Sequence, residues 1–219
     1  MGNDHWPLFD LAVRTPRLTL RYLDDALAEQ VVAVAARGVH DPAVMPFLVP
    51  WTDLPSPQME HEAMRFFWRT RASVQPDSWN LQFAVIVGDE VVGLCDLGAD
   101  HFSSLREVKT GSWLGREFQG RGLGKEFRMA ALALAFDGLD AEFALTGLWH
   151  DNAASRGVTE SLGYEFAGRH RALRRGAPDE QLDYRMGRKH WQTIRSDDIT
   201  LLGVERAREF LGVTPRCDP

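Results

Sequence analysis

The sequence predicts an α/β domain built on a mixed sheet, and three stretches carry that expectation. Leu81 to Val87 and Val91 to Leu97 alternate about Gly88-Asp89-Glu90, the pattern of an antiparallel hairpin. Lys109 to Leu114 reads as a strand that runs into a glycine-rich turn and then a helix-patterned segment, Lys125 to Asp137. Phe143 to Trp149 is a further strand. Because a helix separates it from the strand before the turn, a parallel right-handed crossover is expected between them.

The remaining elements follow in order. Trp6-Pro7-Leu8-Phe9 is apolar but too short to fold alone, so it is expected to dock as an arm or to fray, and it offers a dimer contact. Leu18, Leu20 and Tyr22 alternate with polar residues as a half-buried strand. Asp24 and Asp25 are helix-cap candidates for Ala26 to Arg37, where Leu27, Val31, Val34 and Ala35 recur at helical spacing before Gly38. Val39 to Pro57 holds too many prolines for a helix and reads as a long apolar loop, a candidate wall for a substrate pocket.

Gln58 to Ser73 is helical, with Met59, Ala63, Phe66, Phe67 and Thr70 on one side. Its His61-Glu62 pair lacks the second histidine of a zinc-protease motif, since Arg65 stands there, and no metal site is expected. After the glycine turn, Leu123, Phe127, Ala131 and Leu134 form a buried stripe. A helix capped by Asn152 follows the next strand. Tyr164 to Phe166 and Leu182 to Met186 then read as a closing strand pair linked by the basic Arg169-His170-Arg171 and Arg174-Arg175 turn. A short helical pattern surrounds Val204, Ala207, Phe210 and Leu211 in the tail.

Composition limits the function classes. The 219 residues are 44% hydrophobic, enough for one sizeable core, and a net charge of -6 argues against nonspecific nucleic-acid binding. Amine-bearing partners suit that charge better. Cys95 and Cys217 are too far apart to suggest a disulfide framework. With no charged-then-apolar leader and no run of 18 apolar residues, the expectation is a cytoplasmic protein that does not enter a membrane.

Chemistry concentrates in Gln119-Gly120-Arg121-Gly122-Leu123-Gly124, where alternate glycines let consecutive N–H groups face one anion at a helix N-terminus. Arg116, Arg121, Lys125 and Arg128 crowd the same stretch. It is not a P-loop, because Glu126 follows Gly124-Lys125, and its G-x-G-x-G spacing departs from the dinucleotide fingerprint. Gln119, Gly122 and Gly124 instead fit Q/R-x-x-G-x-G/A, and there the chain resembles the GNAT family of acyl-coenzyme A transferases. Trp149-His150-Asp151-Asn152-Ala153-Ala154-Ser155, with Val158, Leu162 and Gly163-Tyr164, is similar to the RimJ/RimL-like, ribosomal-protein branch. His40-Asp41-Pro42, Met45-Pro46-Phe47 and Pro50-Trp51-Thr52 look like an actinobacterial branch in which some enzymes use succinyl-CoA.

The resemblance implies a GNAT fold, with a mostly antiparallel sheet splayed at a central parallel strand pair and flanked by helices. It implies a 1–13 arm, a 14–191 acyltransferase domain and a 192–219 extension. An acetyl group, or a succinyl group, would pass from coenzyme A to a primary amine of a protein N-terminus or small molecule, without a metal. The donor would lie on Trp113, Leu114, Gln119, Gly120, Arg121, Gly122, Leu123, Gly124, Lys125 and Asn152. Ser155 would protonate the leaving thiolate, with Asn152 orienting the pantetheine or a water. Backbone N–H groups near Trp113 and Leu114 would polarise the thioester. A homodimer is compatible with the branch.

One departure matters. Family members commonly carry a glutamate where Lys109 opens Lys-Thr-Gly-Ser-Trp, which leaves Asp96, Glu107, His150 and Asp151 as candidate bases and keeps open an idle acyl-CoA-binding module.

Overall fold

The structure, a computed structural model, describes residues 4–214. Cys217 therefore lies outside the described residues, as does the end of the 192–219 extension. The strands are β1 (Ala12–Arg14), β2 (Thr19–Tyr22), β3 (Trp79–Val87), β4 (Glu90–Ala99), β5 (Glu107–Leu114), β6 (Phe143–Trp149), β7 (Glu165–Arg174), β8 (Ala177–Gly187) and β9 (Thr200–Leu202). They form one sheet in the order β7-β8-β6-β5-β4-β3-β2-β1-β9. Among these pairs only β5 and β6 run parallel. The helices are α1 (Asp25–Ala36), α2 (Gln58–Ala72), α3 (Phe102–Leu105), α4 (Leu123–Ala133), α5 (Ala153–Ser161), α6 (Arg188–Ile194) and α7 (Val204–Phe210).

Local chemistry sets the boundaries. Asp24 caps α1 by accepting from the Leu27 N–H at 2.8 Å, and Gly38 leaves the helix at φ +110°. Gly88, at φ +60° and the first of two loop residues, makes the tight turn between β3 and β4. The buried stripe of α4 is as expected, with Leu123, Phe127, Ala131 and Leu134 all buried. On α2, Met59, Phe67 and Thr70 are buried but Phe66 is 43% exposed, so the apolar face is narrower than its spacing suggests.

Three further differences have physical reasons. The basic stretch expected to be a turn lies along β7, and the turn itself is Arg175-Gly176, both at positive φ. The edge strand β9 and its neighbour β1 are three residues each, too short for alternation to reveal them. They pair with each other, so the arm and the extension meet at one edge of the common sheet. Leu8 is fully buried there and Trp6 lies edge-on to Phe210 at 5.0 Å, so the arm's apolar side chains are engaged within the chain.

No helix among the described residues is long and apolar enough to cross a membrane.

Candidate active site

The site begins where the sheet opens. β5 and β6 pair only through Glu107↔Phe143, Val108↔Ala144 and Lys109↔Leu145. Beyond that point β5 stays on β4 as far as Gly93↔Leu114, while β6 stays on β8 as far as Trp149↔Gln181. The two strands diverge. Threonines close the vertex: Thr110 Oγ1 donates to the Leu145 carbonyl at 3.3 Å and Thr146 Oγ1 to the Thr110 carbonyl at 3.3 Å.

Register decides which amides face the opening. The Gly115 N–H donates to the Val92 carbonyl at 3.0 Å, which makes Gly93↔Leu114 a non-hydrogen-bonded pair of the antiparallel ladder. Leu114 therefore turns its own N–H and C=O away from β4, into the gap. Its carbonyl takes a 2.9 Å bond from Gln119 Nε2, whereas its N–H has no acceptor among the described residues. Trp113, one residue earlier, spends its N–H on the β4 ladder, so of the two positions singled out in the sequence only Leu114 offers a free amide here.

The glycine turn lies at the mouth of this gap. A short 3-10 turn, Arg116–Phe118, leads to Gly120 at φ +74° and Gly122 at φ +75°, and α4 starts at Leu123 with no side-chain cap. The N–H groups from Gly120 to Lys125 have no acceptor among the described residues. They form a concavity for an anion. Gln119 braces it, since its Nε2 also donates to the Val39 carbonyl at 2.7 Å. Arg121 lies over the Phe118 ring at 5.7 Å and Lys125 reaches the Ser161 carbonyl at 3.4 Å. A Cβ on Gly120 would meet nothing within 4 Å, and one on Gly122 only Arg17 Nη2 at 3.6 Å, so these glycines serve the backbone angle and not clearance.

Replacing both by alanine lets the free loop relax, and a bound anion must restore left-handed angles at about 1–2 kcal/mol per residue. The expected result for Gly120→Ala with Gly122→Ala is a fall of roughly thirtyfold to several-hundredfold in acetyl-CoA affinity by calorimetry.

Arg128 is the main relocation. It does not crowd the turn but lies buried under α4, with Nη1 3.2 Å from Thr146 Oγ1, Nη2 3.4 Å from Ser112 Oγ and Nε without a partner. On the opposite face of β5, Gly111 and Trp113 point the other way. Trp113 lies 5.8 Å from Trp51 of the 39–57 loop, and it packs on Ala35, Val39 and Met59. Asp96, directly across from Gly111, shares this face and is half-buried. Burial pushes its carboxyl up to about 6, against the opposing pull of Arg128 and the Gly111 N–H.

The 39–57 loop is fastened in place. Arg174 Nε donates to the Met45 carbonyl at 2.8 Å, Arg175 grips both oxygens of Asp53 at 2.7 and 2.6 Å, and Trp149 Nε1 reaches the Phe47 carbonyl at 3.2 Å. The loop is thus a fixed wall beside Trp113.

Asn152 caps α5 by accepting from the Ser155 N–H at 3.1 Å. Ser155 is half-buried, and its hydroxyl makes no hydrogen bond among the described residues. One turn on, Val158 comes within 3.5 Å of a Cβ placed on Gly124, so α5 flanks the anion loop. The other candidate bases are engaged or distant. His150 pairs with Asp179 at 3.1 Å, Asp151 with Arg174 at 3.0 Å, and Glu107 lies at the closed end of β5. Lys109 points out to solvent, 3.8 Å from Asp100.

Residues 17–165, which carry the splayed strand pair, the anion loop and the flanking helices, match the family model of the acetyltransferase (GNAT) domain. The chain belongs to the GNAT family. This GNAT acetyltransferase is similar in structure to Mycobacterium smegmatis RimJ in complex with CoA-disulfide, at 17% identity over 96% of this chain and 99% of that one, TM-score 0.71. It is similar also to the ribosomal-protein-S5-alanine acetyltransferase of Vibrio fischeri, at 14% identity over 83% and 99%, TM-score 0.65. The microcin C7 self-immunity acetyltransferase in complex with acetyl-CoA and AMP matches at 16% identity over 78% and 93%, TM-score 0.61. At these identities the likeness is one of fold. GNAT acetyltransferases take acetyl-CoA as donor, and the unpaired Leu114 N–H and loop amides are donor groups of the kind that molecule's carbonyl and phosphates require.

Proposed function

We propose that this GNAT acetyltransferase moves an acetyl group from coenzyme A to the α-amine of a protein N-terminus or to a small primary amine. The observation that carries the reading is the Leu114 N–H, directed into the gap with no acceptor among the described residues, at the end of the strand that leads into the glycine loop. Loop amides from Gly120 to Lys125 hold the pyrophosphate, and the pantetheine follows β5 inward. The Leu114 amide then meets the thioester carbonyl. One preorganised donor of this kind is worth about 3–4 kcal/mol to the developing oxyanion.

Ser155 supplies the proton for the departing sulfur, and Asn152, by fixing the first turn of α5, orients it. Near neutral pH roughly a tenth or more of an α-amine is neutral, against about one part in a thousand of a lysine, which favours α-amines. Exposed Leu48 and Val49 on the fixed loop, with Leu173 on β7, offer a protein acceptor an apolar footing. A cytoplasmic homodimer is part of this reading. Succinyl is the second donor, favoured by the buried Arg128, whose unpartnered Nε lies near the vertex where an acyl chain ends.

Thiol release from acetyl-CoA and succinyl-CoA, measured across a panel of peptides and small amines, tests the proposal. Turnover with α-amines is expected, and Ser155→Ala is expected to lower kcat by about 10²–10⁴-fold with donor affinity kept. Donor binding without thiol release from any amine would make the chain an idle acyl-CoA-binding module.

A further inference from the structure

Most of the acceptor amine arrives as an ammonium, and neither Ser155 nor the Leu114 amide can remove its proton. Three candidate bases are engaged or distant, and the lysine at position 109 turns its cation to Asp100. We propose that Asp96 is the group that takes the proton from the incoming amine, acting through bridging water on the β5 face that carries Trp113. This inference rests on the acyl-transfer reading above.

Its placement argues for the role. Asp96 faces Gly111 across the β4–β5 pair, and a Cβ on Gly111 would overlap Asp96 Oδ1 and lie 3.1 Å from its Cγ. The carboxylate therefore rests over a bare stretch of β5. Trp113, two residues on, puts its side chain on the same face, against Trp51 of the fixed loop. The donor enters from the loop after β5 and runs inward past Leu114, so its acyl carbon lies on the Ser112 side of that amide. Three residues of strand, about 10 Å, separate Gly111 from Leu114. An amine attacking between them is within one or two waters of Asp96, a reach compatible with general-base catalysis.

The surroundings let Asp96 exist in both states. Arg128 of α4 is the charged group that acts on it, and it favours the carboxylate. The neighbours on β3 are the uncharged Gln82, directly across the ladder, and Asn80. Gln82 Oε1 is buried without a partner, which gives a proton on Asp96 an acceptor across the strand pair. Cys95 stays a neutral thiol, pushed up to about 12 by burial and by Asp96 itself. Neither α1 nor α2 adds a charge that acts on Asp96.

The balance is simple. One ammonium proton passes to Asp96 and on to solvent, and the freed lone pair forms the N–C bond. The C–S bond breaks, the sulfur takes the Ser155 hydroxyl proton, and the second nitrogen proton passes through water to restore that hydroxyl, so the net release is one proton to solvent.

The test uses the full chain, the best acceptor of the panel and acetyl-CoA. In the wild type, kcat/KM is expected to fall on the acid side with an apparent pKa near 6. Asp96→Asn is expected to lose that limb and about 10²–10⁴-fold of kcat. Asp96→Glu should recover part of the rate. The loss in Asp96→Asn should shrink to within about tenfold with methoxyamine, an acceptor already neutral at pH 7. An unchanged acetyl-CoA-induced rise in melting temperature certifies that the variant folds and binds donor. If the wild type turns over and Asp96→Asn matches it at every pH, Asp96 has no part while the transferase reading stands. If the wild type itself releases no thiol, both fall together. Carboxyl-carbon NMR, assigned by difference with Asp96→Asn, adds an acceptor-independent check, since titration at an ordinary carboxylate value overturns the proposal.

Discussion

Gly93→Ala is expected to destabilise the protein by about 3 kcal/mol and to abolish measurable acetyl-CoA binding in whatever fraction still folds. A Cβ at that position would overlap the Trp113 carbonyl oxygen and come within 2.9 Å of Leu114 Cα and 3.0 Å of Leu114 Cδ2. Two of those three neighbours are backbone, so no rotamer change relieves the overlap. β4 and β5 must move apart at Gly93↔Leu114, the pair that aims the Leu114 amide into the gap. Gly157 is the control. It lies in α5, where an added Cβ would meet nothing within 4 Å and φ is not positive, so Gly157→Ala should add roughly 0.5–1 kcal/mol. Urea unfolding of both variants gives the comparison. A Gly93→Ala protein as stable as the wild type would mean that β4 and β5 can part at Gly93↔Leu114 without cost.

The second large effect is one of pH. Burial holds the Asp96 carboxyl near 6 in the fold, raised from 3.8 for the free group. Below about pH 4 it is protonated folded or unfolded and costs nothing. As pH rises from 4 through 6 the unfolded chain gives up the proton first, so stability falls. Above 6 the loss is complete, and a rise of that size corresponds to roughly 3 kcal/mol.

Asparagine is the uncharged counterpart and meets Arg128 as the protonated acid does. Asp96→Asn is therefore expected to be more stable than the wild type at pH 8, by up to about 3 kcal/mol, and indistinguishable from it near pH 4. Denaturant unfolding at the two pH values reads this directly. A variant less stable than the wild type at pH 8 would show that the Arg128 attraction outweighs burial. A side chain that weakens the fold at neutral pH while lying on the β5 face that carries Trp113 fits the proposed chemical role.

The parts of this site that could be read in the sequence are those with local rules. The β3–β4 hairpin announces itself by alternation and Gly88, and the anion loop by glycines whose positive φ no other residue adopts cheaply. Asn152 is equally legible as a cap. What could not be read depends on contacts between distant segments. Gln119 looks like a ligand in the motif, yet its amide braces Val39 and Leu114. Arg128 counts as polar in any helix pattern, and only the three-dimensional vertex of β5 and β6 explains why it is buried. The β1 and β9 edge exists because the arm and the extension meet there, which no local window contains. One signal for Asp96 was present: an acidic residue between Val91 and Leu97, where every other residue is apolar or glycine.

Thermal unfolding with saturating ligands tests the central claim, that the splayed strands and the glycine loop hold an acyl-coenzyme A. At about 100 times the dissociation constant, a ligand that binds only the folded chain adds roughly 2.7 kcal/mol, or about 5–10 °C for a chain of this size. Acetyl-CoA, succinyl-CoA and free coenzyme A are expected to raise the melting temperature by that amount in the wild type and less in the Gly120→Ala, Gly122→Ala protein, while ATP and NADPH do not. A rise with NADPH alone, or none with any coenzyme A species at such excess, would contradict the account.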